Sequence, residues 1–281
     1  MSSCPRLLVT GGSGYLGAEV VGRAPSAGWD VYATYRTTHP ALPATWLRLD
    51  VCSAEAVGQA LERTRPQVVI HTAVVEKGPA LWPTTAVGAA IVADAAHRVG
   101  ARLLHLSSDA VFDGERVGRY REGDPRRPVN DYGWAKAAAE CMVADAYPEA
   151  LIVRTSLLYG GATPGRAERL VLDVLSGQTQ AAFFTDELRC PALVGELAVA
   201  LLELASCPLA GPLHVAGPDV VSRYEFACLV AAARGHPPEL VPSGRSADGP
   251  GRRPRNCALD SGRAAALLRT RLRGVREVLT S

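Results

Sequence analysis

Short apolar segments alternate with segments of helical spacing through the first half of the chain. Runs such as Val68-Val69-Ile70 lack polar alternation, which is typical of strands that are covered on both faces. Between these runs, apolar residues return every three or four positions, which predicts amphipathic helices. The predicted strands span 7–9, 29–35, 45–49, 68–71, 101–106 and 151–154, and the predicted helices span 16–24, 53–64, 84–99 and 131–146. This alternation predicts an α/β fold built on a doubly wound parallel sheet.

A glycine-rich turn follows the first predicted strand directly. Its glycines occur in two registers, Gly11-x-x-Gly14-x-x-Gly17 and Gly12-x-Gly14-x-x-Gly17. Glycine lets the chain turn sharply and approach a pyrophosphate at a helix N-terminus, because a Cβ would block the turn or the phosphate. A surface turn is the alternative, but the strand before it and the amphipathic helix after it favour dinucleotide binding. The candidate cofactor-binding residues of the turn are Gly11, Ser13, Gly14, Tyr15, Leu16 and Gly17.

The regular alternation ends near residue 160. Shorter predicted pieces follow, with helices near 167–175, 194–204 and 223–234. We therefore expect residues 1–160 to form an NAD(P)-binding Rossmann domain, with core strands completed by later segments such as 181–216. We expect residues 161–281 to form mainly a smaller C-terminal substrate-binding lobe.

Composition narrows the classes of function. The 281 residues carry a formal net charge of +2, which gives no reason to expect nucleic-acid binding. The 7 cysteines are scattered without a Cys-x-x-Cys pair, as in cytosolic proteins with reduced thiols, so we assign no disulfide frame and no metal site. A strand is predicted from about Arg6, which leaves no room for a signal peptide, and no apolar run approaches the roughly 20 residues of a membrane helix. We expect a cytoplasmic protein that binds neither nucleic acid nor a membrane.

Two polar clusters carry candidate chemistry. Tyr132 and Lys136 lie four residues apart and therefore on one helix face. An ammonium beside a phenol is expected to bring the pKa of the tyrosine toward neutrality and make it a usable proton donor, whereas a simple surface pair is the alternative. Ser107-Ser108-Asp109 ends a buried strand at the edge where such folds bind ligands. A serine hydroxyl there could bond a carbonyl oxygen, and an ordinary turn or helix cap is the alternative.

The motifs together resemble the extended short-chain dehydrogenase/reductase family. The resemblance rests on the glycine turn and on Asp50-Val51, Ser107-Ser108-Asp109, Val111-Phe112-Asp113-Gly114 and Tyr132-Gly133-Trp134-Ala135-Lys136. Within this family the chain is most similar to the dTDP-4-dehydrorhamnose reductase subgroup, which also fits the run Arg253-Pro254-Arg255-Asn256-Cys257-Ala258-Leu259-Asp260. The resemblance spans nearly the whole chain.

The resemblance implies a role for each matched position. Tyr132 would be the general acid, Lys136 would bind the nicotinamide ribose and Ser108 would polarise a substrate carbonyl. The implied activity is an NADPH-dependent reduction of a 4-keto-6-deoxy sugar nucleotide, with the protein orienting and protonating the substrate. The remaining implied cofactor contacts are Asp50 and Val51 at the adenine, together with Thr72, Ala73 and Ser107.

The residues after the second strand bear on the choice of cofactor. Sites for NAD usually place an acid there to bond the ribose 2′-hydroxyl, whereas an arginine suits the 2′-phosphate of NADP. The strand ends in Ala33-Thr34-Tyr35-Arg36, with no acid and one arginine. This favours NADPH bound through Arg36. NADH is the alternative cofactor, and a solvated loop cation is the alternative interpretation of Arg36.

Several positions on the substrate side depart from the pattern of the subgroup. Ala110 and Leu157 stand where Tyr and Trp are common, and Gly88 stands where Asn is common. The loss of aromatic surface generally weakens or reshapes a carbohydrate site. Arginines are chosen as candidates because a nucleotide diphosphate calls for bidentate, permanently charged donors. The candidate substrate-binding residues are Glu76, Lys77, Asp109, Ala110, Leu157, Arg189 and Arg253.

Two other functions stay open at this stage. A sugar-nucleotide epimerase or dehydratase, or a reductase of another ketone, would use the same core, although the missing acid after the second strand counts against an enzyme that recycles bound NAD. A non-catalytic NADP-binding regulatory protein is the third hypothesis, since a fold does not fix a function. The intact Ser108, Tyr132 and Lys136 count against it. The expected small-molecule partner is a nucleotide sugar, and a homodimer is one assembly that the sequence leaves open.

Overall fold

The computed structural model describes residues 4–249 and 251–280. Residues 1–3, 250 and 281, which fall within the predicted domains, lie outside the described residues. The strands are β1 (Arg6–Thr10), β2 (Asp30–Tyr35), β3 (Thr45–Arg48), β4 (Val68–His71), β5 (Arg102–Ser108), β6 (Leu151–Thr155), β7 (Leu158–Tyr159), β8 (Phe183–Phe184), β9 (Leu188–Arg189), β10 (Ala192–Leu193), β11 (Gly211–His214), β12 (Val221–Ser222) and β13 (Ser243–Gly244). The helices are α1 (Tyr15–Arg23), α2 (Ala54–Thr64), α3 (Gly88–Arg98), α4 (Asp131–Ala146), α5 (Arg166–Leu175), α6 (Val194–Ala205), α7 (Arg223–Ala233), α8 (Gly262–Leu267) and α9 (Val275–Leu279).

The predicted α/β fold with a parallel sheet is confirmed. Within the part of the chain that the structure describes, the largest sheet has seven strands in the order β11-β6-β5-β4-β1-β2-β3. Strands β1 to β5 pair in parallel, and Leu8 at the centre lies opposite both Tyr32 and Val69. The apolar segments of the sequence form these inner strands because both of their faces are buried; Leu7, Leu8 and Val9 are 0% exposed.

The order of the strands reverses between β1 and β4. β2 lies on one side of β1, and β4 lies on the other. At such a point the chain leaves neighbouring strands toward opposite faces of the sheet, and the crevice at their carboxyl ends is where these folds bind ligands. The glycine turn follows β1 and Thr72-Ala73 follows β4, so both predicted groups of cofactor residues border this crevice.

The helices begin where the sequence supplies suitable residues. Ser53, at the start of the helix predicted over 53–64, caps α2, because its Oγ accepts a hydrogen bond from the backbone N–H of Ala56. The single helix predicted over 84–99 is divided, since a π-helical turn spans Pro83–Val87 and α3 starts only at Gly88. A Cβ at Gly88 would lie 2.8 Å from Cγ2 of Val51, so one of the two would have to shift to admit a side chain there. Among residues 4–249 and 251–280, no helix is both long and apolar enough to cross a membrane.

The described residues form two compact units. The first contains the residues up to Ser107 together with Trp134–Val153 and Ala198–Leu213, and its core includes Val57, Leu61 and Leu103. The second contains Ser108–Gly133, Arg154–Leu197 and the residues from His214 onward, and its core includes Tyr159 and Phe226. The chain passes between the units several times, and the assignment of one unit to a cofactor and the other to a substrate stays a prediction.

Candidate active site

The glycine turn has the shape that a phosphate requires. Gly11 has a φ of +74°, and a Cβ there would lie 2.6 Å from Cα of Ala73. A Cβ at Gly17 would collide with the carbonyl oxygen of Gly11. Helix α1 begins directly after Gly14, so the positive end of the helix dipole lies at the glycine turn and favours an anion there. These features fit the pyrophosphate of a dinucleotide.

Two exposed arginines lie at the ends of β2 and β3. Arg36 follows β2, and Arg48 is the last residue of β3. The Nε–H of Arg48 donates to the carbonyl oxygen of Arg36 at 3.3 Å. Sequence reasoning missed Arg48 because it becomes a neighbour of Arg36 only through the pairing of Tyr35 with Arg48 between the two strands. The signal that could have found it is the position of an arginine at the end of the third predicted strand.

The two residues predicted to line the adenine differ in their surroundings. Asp50 is exposed, and its Oδ1 accepts a hydrogen bond from the backbone N–H of Cys52 at 2.9 Å. Val51 is 5% exposed and belongs to the core of the first unit. Its side chain therefore packs inside the protein, and the predicted contact with an adenine would have to come from its backbone.

Lys136 has its ammonium group buried in the first unit. Its Nζ donates to the carbonyl oxygen of Leu106 at 2.7 Å, and the residue is 4% exposed. Burial lowers the pKa of Lys136 to about 8, while the carboxylate of Glu140, one helical turn away, acts in the opposite direction. Lys136 is therefore a cation at neutral pH that titrates near the working range.

The other predicted cofactor residues of the first unit are held by the strand ends. Thr72 donates from its Oγ1 to the carbonyl oxygen of Thr10 at 2.9 Å, which ties the loop after β4 to the glycine turn after β1. Ser107 is 4% exposed, and its Oγ donates to Oε1 of Glu140 at 2.5 Å. The hydroxyl of Ser107 is thus engaged inside the protein.

Tyr132 and Ser108 lie together in the second unit, which includes the first residues of α4. Their hydroxyl groups are joined by a hydrogen bond, and the Oγ of Ser108 also lies 3.1 Å from Oδ1 of Asp109 as a donor. Burial, and secondarily the charge of Asp109, raise the pKa of Tyr132 to about 12, although the bond to Ser108 acts the other way. The predicted lowering of this pKa is therefore wrong, because burial penalises the phenolate.

Asp109 is the centre of a buried polar network. Its Oδ2 accepts a hydrogen bond from Oγ of Ser156 at 2.6 Å and lies 3.7 Å from Nε of Arg189. Arg189 in turn donates to the carbonyl oxygens of Leu188 at 2.7 Å and Pro254 at 3.0 Å. Most donors of Arg189 are therefore occupied within the protein, so this arginine acts on Asp109 more directly than on an external ligand.

A family model described as the RmlD substrate-binding domain matches residues 5–281. The chain belongs to the RmlD substrate-binding domain family. The resemblance drawn from the motifs is thereby confirmed at the level of the family.

One relative and one solved structure are similar to this protein over nearly the whole chain. The dTDP-4-dehydrorhamnose reductase of Mycobacterium tuberculosis is 33% identical over 98% of this chain and 91% of its own length. The crystal structure of the dTDP-4-dehydrorhamnose reductase of Bacillus anthracis in complex with NADP superimposes with a TM-score of 0.85 at 25% identity, covering 99% of this chain and 98% of that one.

A third relative has a name of another kind. The methionine adenosyltransferase 2 subunit beta of Bos taurus is 30% identical over 93% of this chain and 82% of its own length. Its name describes a subunit of a different enzyme. Membership of the RmlD family therefore leaves the activity to be argued from the site.

The remaining substrate-side predictions are spread over this RmlD-family fold. Glu76 and Lys77 are exposed on the loop after β4. Ala110 lies in a short turn, and its carbonyl oxygen abuts Gly133, where a Cβ would collide with it. Leu157 is partly buried and packs against the core of the second unit.

Arg253 and Arg223 form an arginine pair around Glu187 in the second unit. Nη1 of Arg253 lies 3.5 Å from Oε1 of Glu187, and its guanidinium lies 5.2 Å from the ring centre of Phe184. Burial, and next the charge of Arg189, lower the pKa of Arg223 to about 10. Sequence reasoning missed Arg223, since nothing in the run Ser222-Arg223-Tyr224 distinguishes it from a solvated helix residue before its neighbours are known.

Proposed function

We propose that this protein is an NADPH-dependent reductase that acts on the ketone of a 4-keto-6-deoxy sugar nucleotide. The observation that carries the proposal is the hydrogen bond between the hydroxyls of Ser108 and Tyr132. Ser108 ends β5, and Tyr132 lies on α4, the helix that also bears Lys136. A hydroxyl pair of this kind supplies both a donor that polarises a carbonyl and a donor that protonates it. The dTDP-4-dehydrorhamnose reductases among the relatives support the class of substrate.

The chemistry of the protein is then proton supply. When bound, NADPH supplies the hydride that forms the new C–H bond at the carbonyl carbon. Ser108 turns its O–H from Asp109 to the carbonyl oxygen, and Tyr132 gives its proton to that oxygen as the C–O π bond breaks. A tyrosine whose pKa is raised to about 12 holds its proton at neutral pH. The alkoxide that forms is more basic than this phenolate, so the transfer is downhill.

The preference for NADPH follows from the ends of β2 and β3. Arg36 and Arg48 are two permanently charged donors, and the end of β2 carries no acid to bond a ribose 2′-hydroxyl. The second arginine strengthens the preference for NADPH that was predicted from Arg36 alone. The NADP complex of the Bacillus anthracis relative is in agreement with it.

Some of the proposed substrate-side residues position Ser108, and others supply charge to bind the substrate. Arg189 and Ser156 hold Asp109, which accepts the hydrogen bond from the hydroxyl of Ser108 until a substrate carbonyl takes its place. Arg253, with a side chain 42% exposed, is the more accessible cation for the diphosphate. Ala110 and Leu157 leave room beside the sugar, and Glu76 and Lys77 remain candidates for contacts from the loop after β4.

A spectrophotometric assay tests the proposal. Purified protein is incubated with NADPH and either dTDP-4-keto-6-deoxyglucose or its epimerised product, with NADH in parallel. We expect NADPH oxidation that depends on one of these sugars and is slower with NADH. Firm binding of NADPH without oxidation by any keto sugar or simple ketone would contradict the reductase.

A second candidate function is favoured by one observation. The similarity to a subunit of methionine adenosyltransferase supports a regulatory NADP-binding subunit that acts on a protein partner. This function predicts that NADPH binds, that no ketone is reduced, and that a stable complex with an enzyme is recovered. Turnover of a keto sugar that is lost in Tyr132→Phe would reject it as the main function.

A further inference from the structure

Two consecutive residues at the end of β5 bond to residues one helical turn apart on α4. The carbonyl oxygen of Leu106 accepts a hydrogen bond from Nζ of Lys136 at 2.7 Å. The next residue, Ser107, donates from its Oγ to Oε1 of Glu140 at 2.5 Å. Since residues four apart lie on the same helix face, the two bonds run side by side and fix the rotation of α4 against β5.

Both ions of this cluster are buried. Glu140 is 0% exposed and Lys136 is 4% exposed. A buried ion is costly unless an opposite charge and hydrogen bonds compensate it. Ser107 supplies a hydrogen bond to the carboxylate, and Leu106 supplies one to the ammonium. Removal of Glu140 alone would leave the ammonium of Lys136 buried without this countercharge.

The neighbouring strands bring titratable groups that give Lys136 no countercharge. His71 on β4 and His105 on β5 stack with their ring centres 5.4 Å apart. Burial and then the charge of Lys136 lower the pKa of His71 to about 3, and the same two causes with His71 lower the pKa of His105 well below its ordinary value. Both imidazoles are therefore neutral. On α4, the carboxylate of Glu140 works against the loss of the Lys136 proton by burial.

We infer that Glu140 is a positioning residue, which keeps the ammonium of Lys136 charged and in place at the end of β5. Its carboxylate can do so because the hydrogen bond from Ser107 fixes it there. The inference rests on the proposed function, because it concerns the lysine proposed to hold the nicotinamide ribose. Glu140 acts on the cofactor only through Lys136. Nothing in the motif Tyr132-x-x-x-Lys136 pointed to it, since Glu140 gains its role from burial and from Ser107.

The variant Glu140→Gln tests this role, because it keeps the size of the side chain and an oxygen for Ser107 while removing the charge. The dissociation constant of NADPH is measured by fluorescence titration from neutral to alkaline pH. In the parent we expect affinity to fall as pH rises through the pKa of Lys136, which burial lowers to about 8. In Glu140→Gln we expect this fall to move about one pH unit toward acid, with about tenfold weaker binding above the parent midpoint.

Two further variants separate positioning from a merely structural effect. Glu168→Gln is the matched control, since Glu168 is 2% exposed and accepts hydrogen bonds from the backbone N–H groups of Gly160 and Gly165 in the second unit. It should lower the melting temperature and leave the pH midpoint of NADPH binding unchanged. Glu140→Asp keeps the charge and should return the midpoint toward that of the parent.

The outcomes are distinguishable from failure of the proposed function. If the parent binds no NADPH, the proposed function is wrong; if the parent binds it and Glu140→Gln has the parent midpoint, the inference is overturned. Should Glu140→Gln fail to fold, the melting temperature of Lys136→Met is compared with that of the double variant Lys136→Met/Glu140→Gln. We expect the double variant to melt at a higher temperature than Lys136→Met, because it removes a buried carboxylate that no longer faces the charge of Lys136. A lower melting temperature would reject the pairing.

Discussion

Tyr132 shows at the scale of one residue how burial and function are connected. Its phenol lies against Ser108 and near Asp109, and burial holds the pKa well above its usual value. From the sequence we predicted a lowered pKa for this tyrosine, because the spacing showed only the charge of Lys136. In the structure the tyrosine keeps its proton at neutral pH, as the proposed proton donor must, and Lys136 has a pKa near 8.

The variant Tyr132→Phe removes that donor and little else. We expect kcat to fall by at least about 100-fold, the range for loss of a general acid, while the dissociation constant of NADPH changes little. Steady-state kinetics and a binding titration measure the two quantities. Tyr147→Phe is the control, since Tyr147 is stacked on His97 in the first unit and should tolerate the change. A Tyr132→Phe protein with the parent rate would refute the assigned proton donor.

Gly11 offers a second prediction about a single residue. Gly11→Ala puts a Cβ both into a left-handed backbone conformation and 2.6 Å from Ala73, so it should lower the melting temperature and weaken NADPH binding at least about tenfold. Gly28→Ala is the matched control: its φ of +86° gives the same strain, but a Cβ there meets nothing within 4 Å. Equal effects of the two variants on NADPH affinity would mean that the close approach to Ala73 has no role in the site.

At the scale of elements, the pairing of strands creates neighbours that the sequence keeps apart. Arg36 and Arg48 are separated by a loop, yet the parallel pairing of β2 with β3 places both at one edge of the sheet. A 2′-phosphate bound there would meet two cations, whereas the 2′-hydroxyl of NADH would meet no acid. The end of β5 also brings together residues that are distant in sequence. Its consecutive residues Leu106 and Ser107 form hydrogen bonds with Lys136 and Glu140 of α4.

The variant Arg48→Met tests the arginine pair. It should raise the KM for NADPH about tenfold and leave that for NADH nearly unchanged, because only the former carries the 2′-phosphate. The comparison of kcat/KM for the two cofactors measures the effect. Arg63→Met, an exposed arginine in the last turn of α2, is the control and should change neither value. An equal loss with both cofactors would assign Arg48 to the stability of the β2–β3 edge.

The elements also show how far sequence patterns reach. The strands from β1 to β5 and the cap of α2 were predictable, because continuous apolar runs and a serine before a helical pattern have local causes. The division of the helix at Gly88 was not, since the run 84–99 carries no local signal for a π-helical turn. Arg48, Glu140 and Arg223 were missed because their partners come from other elements.

At the scale of the whole molecule, the family and the α/β fold were both predictable from motifs that lie close together in sequence, and both are confirmed. The chain was predicted to divide near residue 160, with core strands completed by later segments such as 181–216, and the described units exchange segments several times. Topology causes this exchange, because the last residues of β5 and β6 and the first of α4 count with the second unit. The roles of individual site residues remain predictions until variants are measured.

Hydride transfer from labelled cofactor tests the central claim most directly. NADPH carrying deuterium in its transferable position is incubated with the protein and the dTDP-4-keto-6-deoxy sugar, and the products are analysed by mass spectrometry. We predict a sugar nucleotide with deuterium on the former carbonyl carbon, formed by the parent and not by Tyr132→Phe. A protein that binds the labelled NADPH tightly but never transfers its deuterium to a sugar would contradict the account and favour the regulatory alternative.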